Sequence, residues 1–141
     1  MRTKSAPRSI PPASKDGFPR GDKIELSFSP AKKAYYQFVF DCDGNRFEAK
    51  ALDAAWDCKW DVSIEKGDKG WKAAVRIPFD AIGFVPAVDP CVRFLPVVTI
   101  GDYGKTGGRQ LFSWRGGLPH TPSSWGVLSM RSNQTTTKQG E

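Results

Sequence analysis

From residue 21 to residue 131 the chain keeps returning to one pattern, apolar side chains at every second position in short runs, and that pattern excludes helical folds. In "KIELSFS" Ile24, Leu26 and Phe28 share one side, and in "YYQFVFD" Tyr36, Phe38 and Phe40 do the same. "DVSIE" supplies Val62 and Ile64, and "GWKAAVRIPF" supplies Trp71, Ala73, Val75 and Ile77. "RFEAKAL", "CVRFLPVVTIG", "RQLFSW" and "WGVLSMR" read as further strands, with Pro96 arguing for an edge or a bulge in the second. "CDGN" after Phe40 and the Gly67 to Gly70 stretch are hairpin turns, and only "FDAIGF" near Asp80 suits a short helical turn. Short strands at hairpin spacing, with no amphipathic helix between them, predict an all-β fold, an antiparallel β-sandwich of immunoglobulin-like or jelly-roll type.

The 141 residues fit one domain, and no run approaches the roughly 18 apolar residues of a membrane-spanning helix. Residues 1–20 hold four prolines among Ser, Lys and Arg with hardly any apolar anchor, which predicts a disordered basic tail; residues 132–141 read as a second, polar one. The domain is therefore expected over 21–131. Arg2 and Lys4 are not followed by the apolar core of a signal peptide. Of the net charge of +6, four units lie in residues 1–20 and one in 131–141, so the body carries one. Such a body has no basic stripe for a phosphate backbone, and nucleic acid is excluded as a partner. Cys42, Cys58 and Cys91 lack the close paired spacing of zinc sites and read as small buried or half-buried thiols, with one disulfide left open for an exported protein.

"DKIELSFSP", "YYQFVF", "GWKAAVRIPFDAIGF", "FSW" and "TPSSWGVL" follow one another in the order and spacing of the family 9 carbohydrate-binding modules, which the chain resembles from about Phe18 to Met130. The resemblance implies a β-sandwich that holds sugars without hydrolysing them, attached to xylanases and other polysaccharide-degrading enzymes, outside the cell or in the periplasm. It also implies further strands ahead of "DKIEL", where this chain has its basic segment; the sandwich is expected to lack the first strands of the family. An unpaired edge and an uncovered part of the core would follow.

The pleat gives the resemblance a physical counterpart. With Ile24, Leu26 and Phe28 turned inward, Glu25 takes the opposite face of its strand, and Gln37 does so beside Phe38. A carboxylate and an amide side by side on a rigid sheet suit sugar hydroxyls, and the resembled family places a ligand-contacting glutamate at the position of Glu25. An ordinary solvated sheet face is the alternative. The family's two clamping tryptophans are absent: Phe18 and Pro19 stand where one is expected, and Leu118, Pro119 and His120 stand near the other. Among the five tryptophans, parity assigns Trp60 and Trp71 to the core, and the resemblance implies the same for Trp114 and Trp125. Trp56, in the loop "LDAAWDCKW", remains as a stacking platform, and Arg76 has the outward parity to join Glu25. The candidate sugar contacts are thus Glu25, Gln37, Trp56, Arg76, Phe18 and His120.

Catalysis is not expected. His120 is the only histidine, and the chain lacks a G-x-S-x-G elbow, a P-loop and an H-E-x-x-H motif. Haem ligation by His120 and Met130 is disfavoured by their closeness in sequence. No cofactor is expected, and no Asp-rich loop commits the chain to the structural calcium of some family members. Two functions stand: carbohydrate binding as an accessory module of xylan or cellulose degradation, with a polysaccharide or oligosaccharide as partner and an enzyme domain linked or associated; or a structural, protein-interaction sandwich that has lost its sugar.

Overall fold

The computed structural model describes residues 7, 9–11, 17–30, 34–101 and 109–130. The alternating runs form eight strands: β1 (Lys23–Pro30), β2 (Tyr36–Asp41), β3 (Arg46–Lys50), β4 (Asp61–Gly67), β5 (Gly70–Arg76), β6 (Cys91–Gly101), β7 (Arg109–Ser113) and β8 (Gly126–Ser129). They make two antiparallel sheets. The larger runs β3-β2-β1-β6-β7, with β8 also paired to β6, and the smaller is the β4–β5 hairpin. The expected helical turn is a 3-10 turn over Phe79–Ile82, ended by Gly83 in the left-handed region at φ 63°. The protein is all-β, as its alternation requires.

The turns form where their residues demand it. After β2, the Asp41 carboxylate accepts the backbone N–H groups of Asp43 and Asn45, both at 2.9 Å, and Gly44 takes φ 81°. In the smaller sheet Gly67 pairs with Gly70, leaving a two-residue loop of Asp68 and Lys69. Pro96 marks neither an outer edge nor an established bulge. It pairs with Leu26 of β1, while the other flank of β6 changes partner there, from β8 over Cys91–Phe94 to β7 over Val97–Gly101. A residue with no N–H fits that local break in the ladder.

The main core lies between the sheets. Tyr36, Phe38 and Phe40 of β2 meet Trp60, Ile82, Phe84 and Val92, with Ile24, Leu26, Val62, Ile64 and Trp71 around them. Trp60 and Trp71 stack edgewise on the β2 aromatics, at centroid distances of 5.2 Å to Phe38 and 6.1 Å to Phe40 respectively. Trp114, expected in the core, is instead 37% exposed, leaning on Phe94 and over Gly126.

The opposite face of the larger sheet is also covered. Every residue of β2 is buried. Leu95 and Val97 of β6 pack beneath Trp125, with Tyr35 beside them. The cover comes from segments without alternation, the stretch before β1 and the loop between β7 and β8. Phe18 packs edge-on against Phe47 and Pro19 is buried, so a domain boundary after residue 20 falls too late. Residues 132–141 and most of residues 1–16 lie outside the described residues.

Gly117 fixes how closely that loop approaches. A Cβ there would stand 2.6 Å from Leu95 Cδ1 and 3.3 Å from the Ser124 carbonyl oxygen. Leu95 is 1% exposed and has little room to yield. Gly117→Ala is expected to lower unfolding free energy by about 1–3 kcal/mol, the usual cost of overpacking, as read from the urea midpoint.

Candidate functional site

Beneath the β7–β8 loop the larger sheet holds a hollow of about 410 Å³. Its floor is Glu25 of β1 and Gln37 of β2. In register Glu25 faces Val39 and Gln37 faces Ser27, so the two are diagonal neighbours on one face. The Gln37 amide Nε2 donates to Glu25 Oε2 at 3.1 Å. The pleat thus places the pair as its parity implies, but on a covered face: Glu25 is 8% and Gln37 6% exposed. The open groove on an exposed outer face, expected for a saccharide, is not what forms: both side chains are submerged at the bottom of a hollow, because the flanking segments roof that face.

The walls are mostly apolar. Phe18 and Phe47 stand together at a centroid distance of 5.3 Å, and Ala49, directly opposite Gln37, continues the β3 side. Leu111 comes from β7, and Pro119 and His120 from the loop that follows. Lys23, fully buried, directs its ammonium to the Phe18 ring at 5.3 Å from the centroid. Thus Phe18, Glu25, Gln37 and His120, from three separate stretches of chain, line one cavity.

Tyr35 holds two of the walls, a role that sequence reasoning missed. Its carbonyl accepts the Ala51 N–H at 2.7 Å, and its hydroxyl lies 2.7 Å from His120 Nδ1. Ala51 and His120 both line the hollow and both adopt left-handed backbone, at φ 53° and 59°. Such conformations cost a non-glycine residue roughly 1–2 kcal/mol each and persist where their surroundings hold them. Trp125 adds to the hold, packing edge-on against Tyr35 and donating from Nε1 to the Leu118 carbonyl at 2.8 Å. The available signal was parity, since Tyr35 lies two residues from Gln37 on the same face.

Trp56 and Arg76 do not join this site. Trp56 folds back onto the main core, its ring centroid 5.2 Å from Tyr36 and 6.0 Å from Phe38, on the opposite side of the sheet. An indole in a loop gains more from that burial than from projecting into water. Arg76 is exposed at the end of β5 in the other sheet, paired in register with Asp61, and cannot reach Glu25. Met130 packs against the main core whereas His120 lines the hollow, so the pair also lies apart for haem. Among the described residues no group of three or more His, Cys, Asp or Glu side chains is placed to hold a metal ion, and no helix is long and apolar enough to cross a membrane.

A second cleft runs beside β3. Arg46 donates to the Trp60 carbonyl at 2.7 Å, and Trp60 Nε1 donates to Glu48 Oε2 at 3.0 Å. Desolvation raises the Glu48 carboxyl above its ordinary pKa; the Trp60 bond opposes the shift and Asp57 adds to it. A raised acid binds its proton more readily in the folded chain, so its contribution to stability is full below the unfolded pKa and is lost as pH rises through the folded one. Glu48→Gln keeps an acceptor for Trp60 and removes the ionisation. Its stability relative to the parent should therefore increase from about pH 4 to about pH 7 in urea titrations.

No disulfide joins the three cysteines, of which Cys42 is buried and Cys91 exposed. Burial, with Glu48 and Asp57 close by, pushes the Cys58 thiol up to about 11. Alkylation near pH 8 should label Cys91 first and leave Cys42 and Cys58 far behind, as read by peptide mass mapping.

The hollow joins hydrogen-bonding groups at its floor to mostly apolar walls, which suits a ligand carrying both kinds of surface. No protein-family model, curated protein or solved structure matches the chain.

Proposed function

We propose that the protein binds carbohydrate without cleaving it, taking one sugar residue of an oligosaccharide or polysaccharide into the hollow above Glu25 and Gln37. The observation that carries this reading is the meeting of Phe18, Glu25, Gln37 and His120 around a single 410 Å³ cavity. Glu25 accepts hydrogen bonds from hydroxyls, Gln37 donates and accepts, and the aromatic wall of Phe18 and Phe47 takes the C–H face of a pyranose. Xylan and cellulose fragments are the first ligands to try, in keeping with an accessory module of polysaccharide breakdown. Export of the protein and attachment to an enzyme belong to the same proposal.

A structural or partner-binding sandwich is the second reading, favoured by one feature. Glu25 and Gln37 already bond to each other, as a pair kept for cohesion would.

Calorimetric titration with xylo-oligosaccharides, cello-oligosaccharides and their monosaccharides separates the two. Carbohydrate binding is expected to give a saturable signal that Glu25→Gln weakens about tenfold or more, since a hydrogen bond to a charged group contributes roughly 1.5–3 kcal/mol. Phe18→Ala should weaken it too. Silence from every sugar at millimolar concentration would leave the second reading.

A further inference from the structure

Phe47 is a wall shared between two hollows. On one side it borders the roofed hollow, and on the other a neighbour of about 350 Å³ with Arg46, Glu48 and residues 54–57 around it. Arg46, Glu48 and Asp57 belong in turn to a third hollow of about 620 Å³, which continues past Asn45 to Lys59 and Asp61. All three volumes fall within the roughly 300–1,000 Å³ of small-molecule sites. Parity and topology explain the succession. Phe47 and Ala49 turn to the roofed face, Arg46 and Glu48 lie opposite Phe40 and Phe38 on the other, and β3 is the outermost strand of its sheet. A ligand passing around β3 thus goes from one set of side chains to the next without crossing the sheet. The turn closed by the bridge of Lys50 to Asp53 stands beside that route, with Ala51 and Leu52 on the first hollow and Ala54 and Ala55 on the second.

The chemistry changes along the way. The roofed hollow is walled mostly by apolar groups, whereas beyond Phe47 the side chains are polar and of both signs, Arg46 and Lys59 against Glu48, Asp57 and Asp61. Arg46 is held in place there. Its Nη1 donates to the Trp60 carbonyl at 2.7 Å, and its guanidinium lies 5.4 Å from the Trp60 ring centroid, so the planar fork is fixed although the residue is exposed. That bond uses one of the five N–H donors of a guanidinium. Asp57 and Lys59 are exposed as well. A strong anion would gain at Arg46 and Lys59 and lose at the carboxyl groups between them. Hydroxyls donate as readily as they accept, and suit a lining of both signs throughout. The carboxyl group of Glu25, on the floor of the first hollow, acts in the same sense against an acidic sugar.

We propose that the three hollows are successive subsites for one neutral oligosaccharide, which passes from the roofed hollow over Phe47 and around β3 into the cleft of Arg46, Glu48 and Asp57. Resting on the sugar reading of the roofed hollow, this path adds a direction for the chain and a charge class for its units. The first subsite takes a pyranose by its C–H face and the others take theirs by the hydroxyls. The five residues of β3 make the path about 13 Å long, more than a single pyranose fills.

The test titrates the full chain with neutral xylo- and cello-oligosaccharides from the monosaccharide to the pentasaccharide, and with cello-oligosaccharides oxidised to uronates at C6. Affinity is expected to rise about tenfold between the monosaccharide and the tetrasaccharide, the return of one or two further net hydrogen bonds. The uronates should bind less well. Asp57→Ala and Lys59→Ala, both at exposed positions, should remove most of the gain with length and leave monosaccharide affinity unchanged, whereas Glu25→Gln weakens both. Arg46→Gln should act like them, with its fold checked by the thermal midpoint because the bond to Trp60 is lost. In the unaltered protein the tetrasaccharide should shift the amide resonances of Arg46, Glu48 and Asp57, which the monosaccharide leaves in place. A monosaccharide bound as tightly as the tetrasaccharide would overturn the subsites while the reading of the roofed hollow stands. So would a gain with length that none of the cleft substitutions touches, or uronates that bind as well as the neutral chains. If no sugar binds at millimolar concentration, both fall together.

Discussion

The central sheet is buried on both faces, and most of the structure answers to that constraint. A sheet covered on one side can leave its outward positions to water, but β2 buries all six of its residues. Each polar side chain on the outward face must then find a partner or forfeit its hydration. Gln37 and Glu25 bond to each other, and the Lys23 ammonium faces an aromatic ring. The roof that imposes this depends in turn on the close approach of Gly117 to Leu95 and on the two hydrogen bonds of Tyr35. Apolar burial between the sheets supplies the bulk of cohesion, and the roofed face adds a cavity that joins a carboxylate to an aromatic wall.

What could be read from the sequence follows from what period two encodes. Alternation states which residues share a face, and on that basis Glu25 and Gln37 were correctly paired and the eight strands located. It says nothing about whether a face is roofed. The covering segments, Phe18 to Gly21 and the loop ending at Trp125, have no period, so the burial of Glu25 left no trace in the pattern of its own strand. Trp56 and Arg76 failed for related reasons. A loop tryptophan lacks a parity that could assign it a side, and outward parity in β5 does not reveal that β5 belongs to the other sheet. Pro96 was legible as a disruption, but its resolution at a change of strand partner is a property of the assembled sheet.

The two faces of the larger sheet share their strands. Glu25 and Ile24 are consecutive in β1, and their partners in β6, Val97 and Val98, are consecutive as well. One member of each pair looks into the roofed side and the other toward the face that the smaller sheet partly covers.

The bond between Gln37 and Glu25 sets the threshold for anything entering the hollow. A ligand that merely replaces that bond exchanges one hydrogen bond for another, and a net gain of about 1 kcal/mol per bond leaves nothing over. It must use acceptor and donor capacity that the pair leaves unspent on each other, and cover the Phe18 and Phe47 wall at the same time. A lone hydroxyl compound meets the first requirement and a simple hydrocarbon the second. A pyranose would meet both, with hydroxyls around its rim and C–H groups on its faces, and this is the ground on which a sugar is proposed.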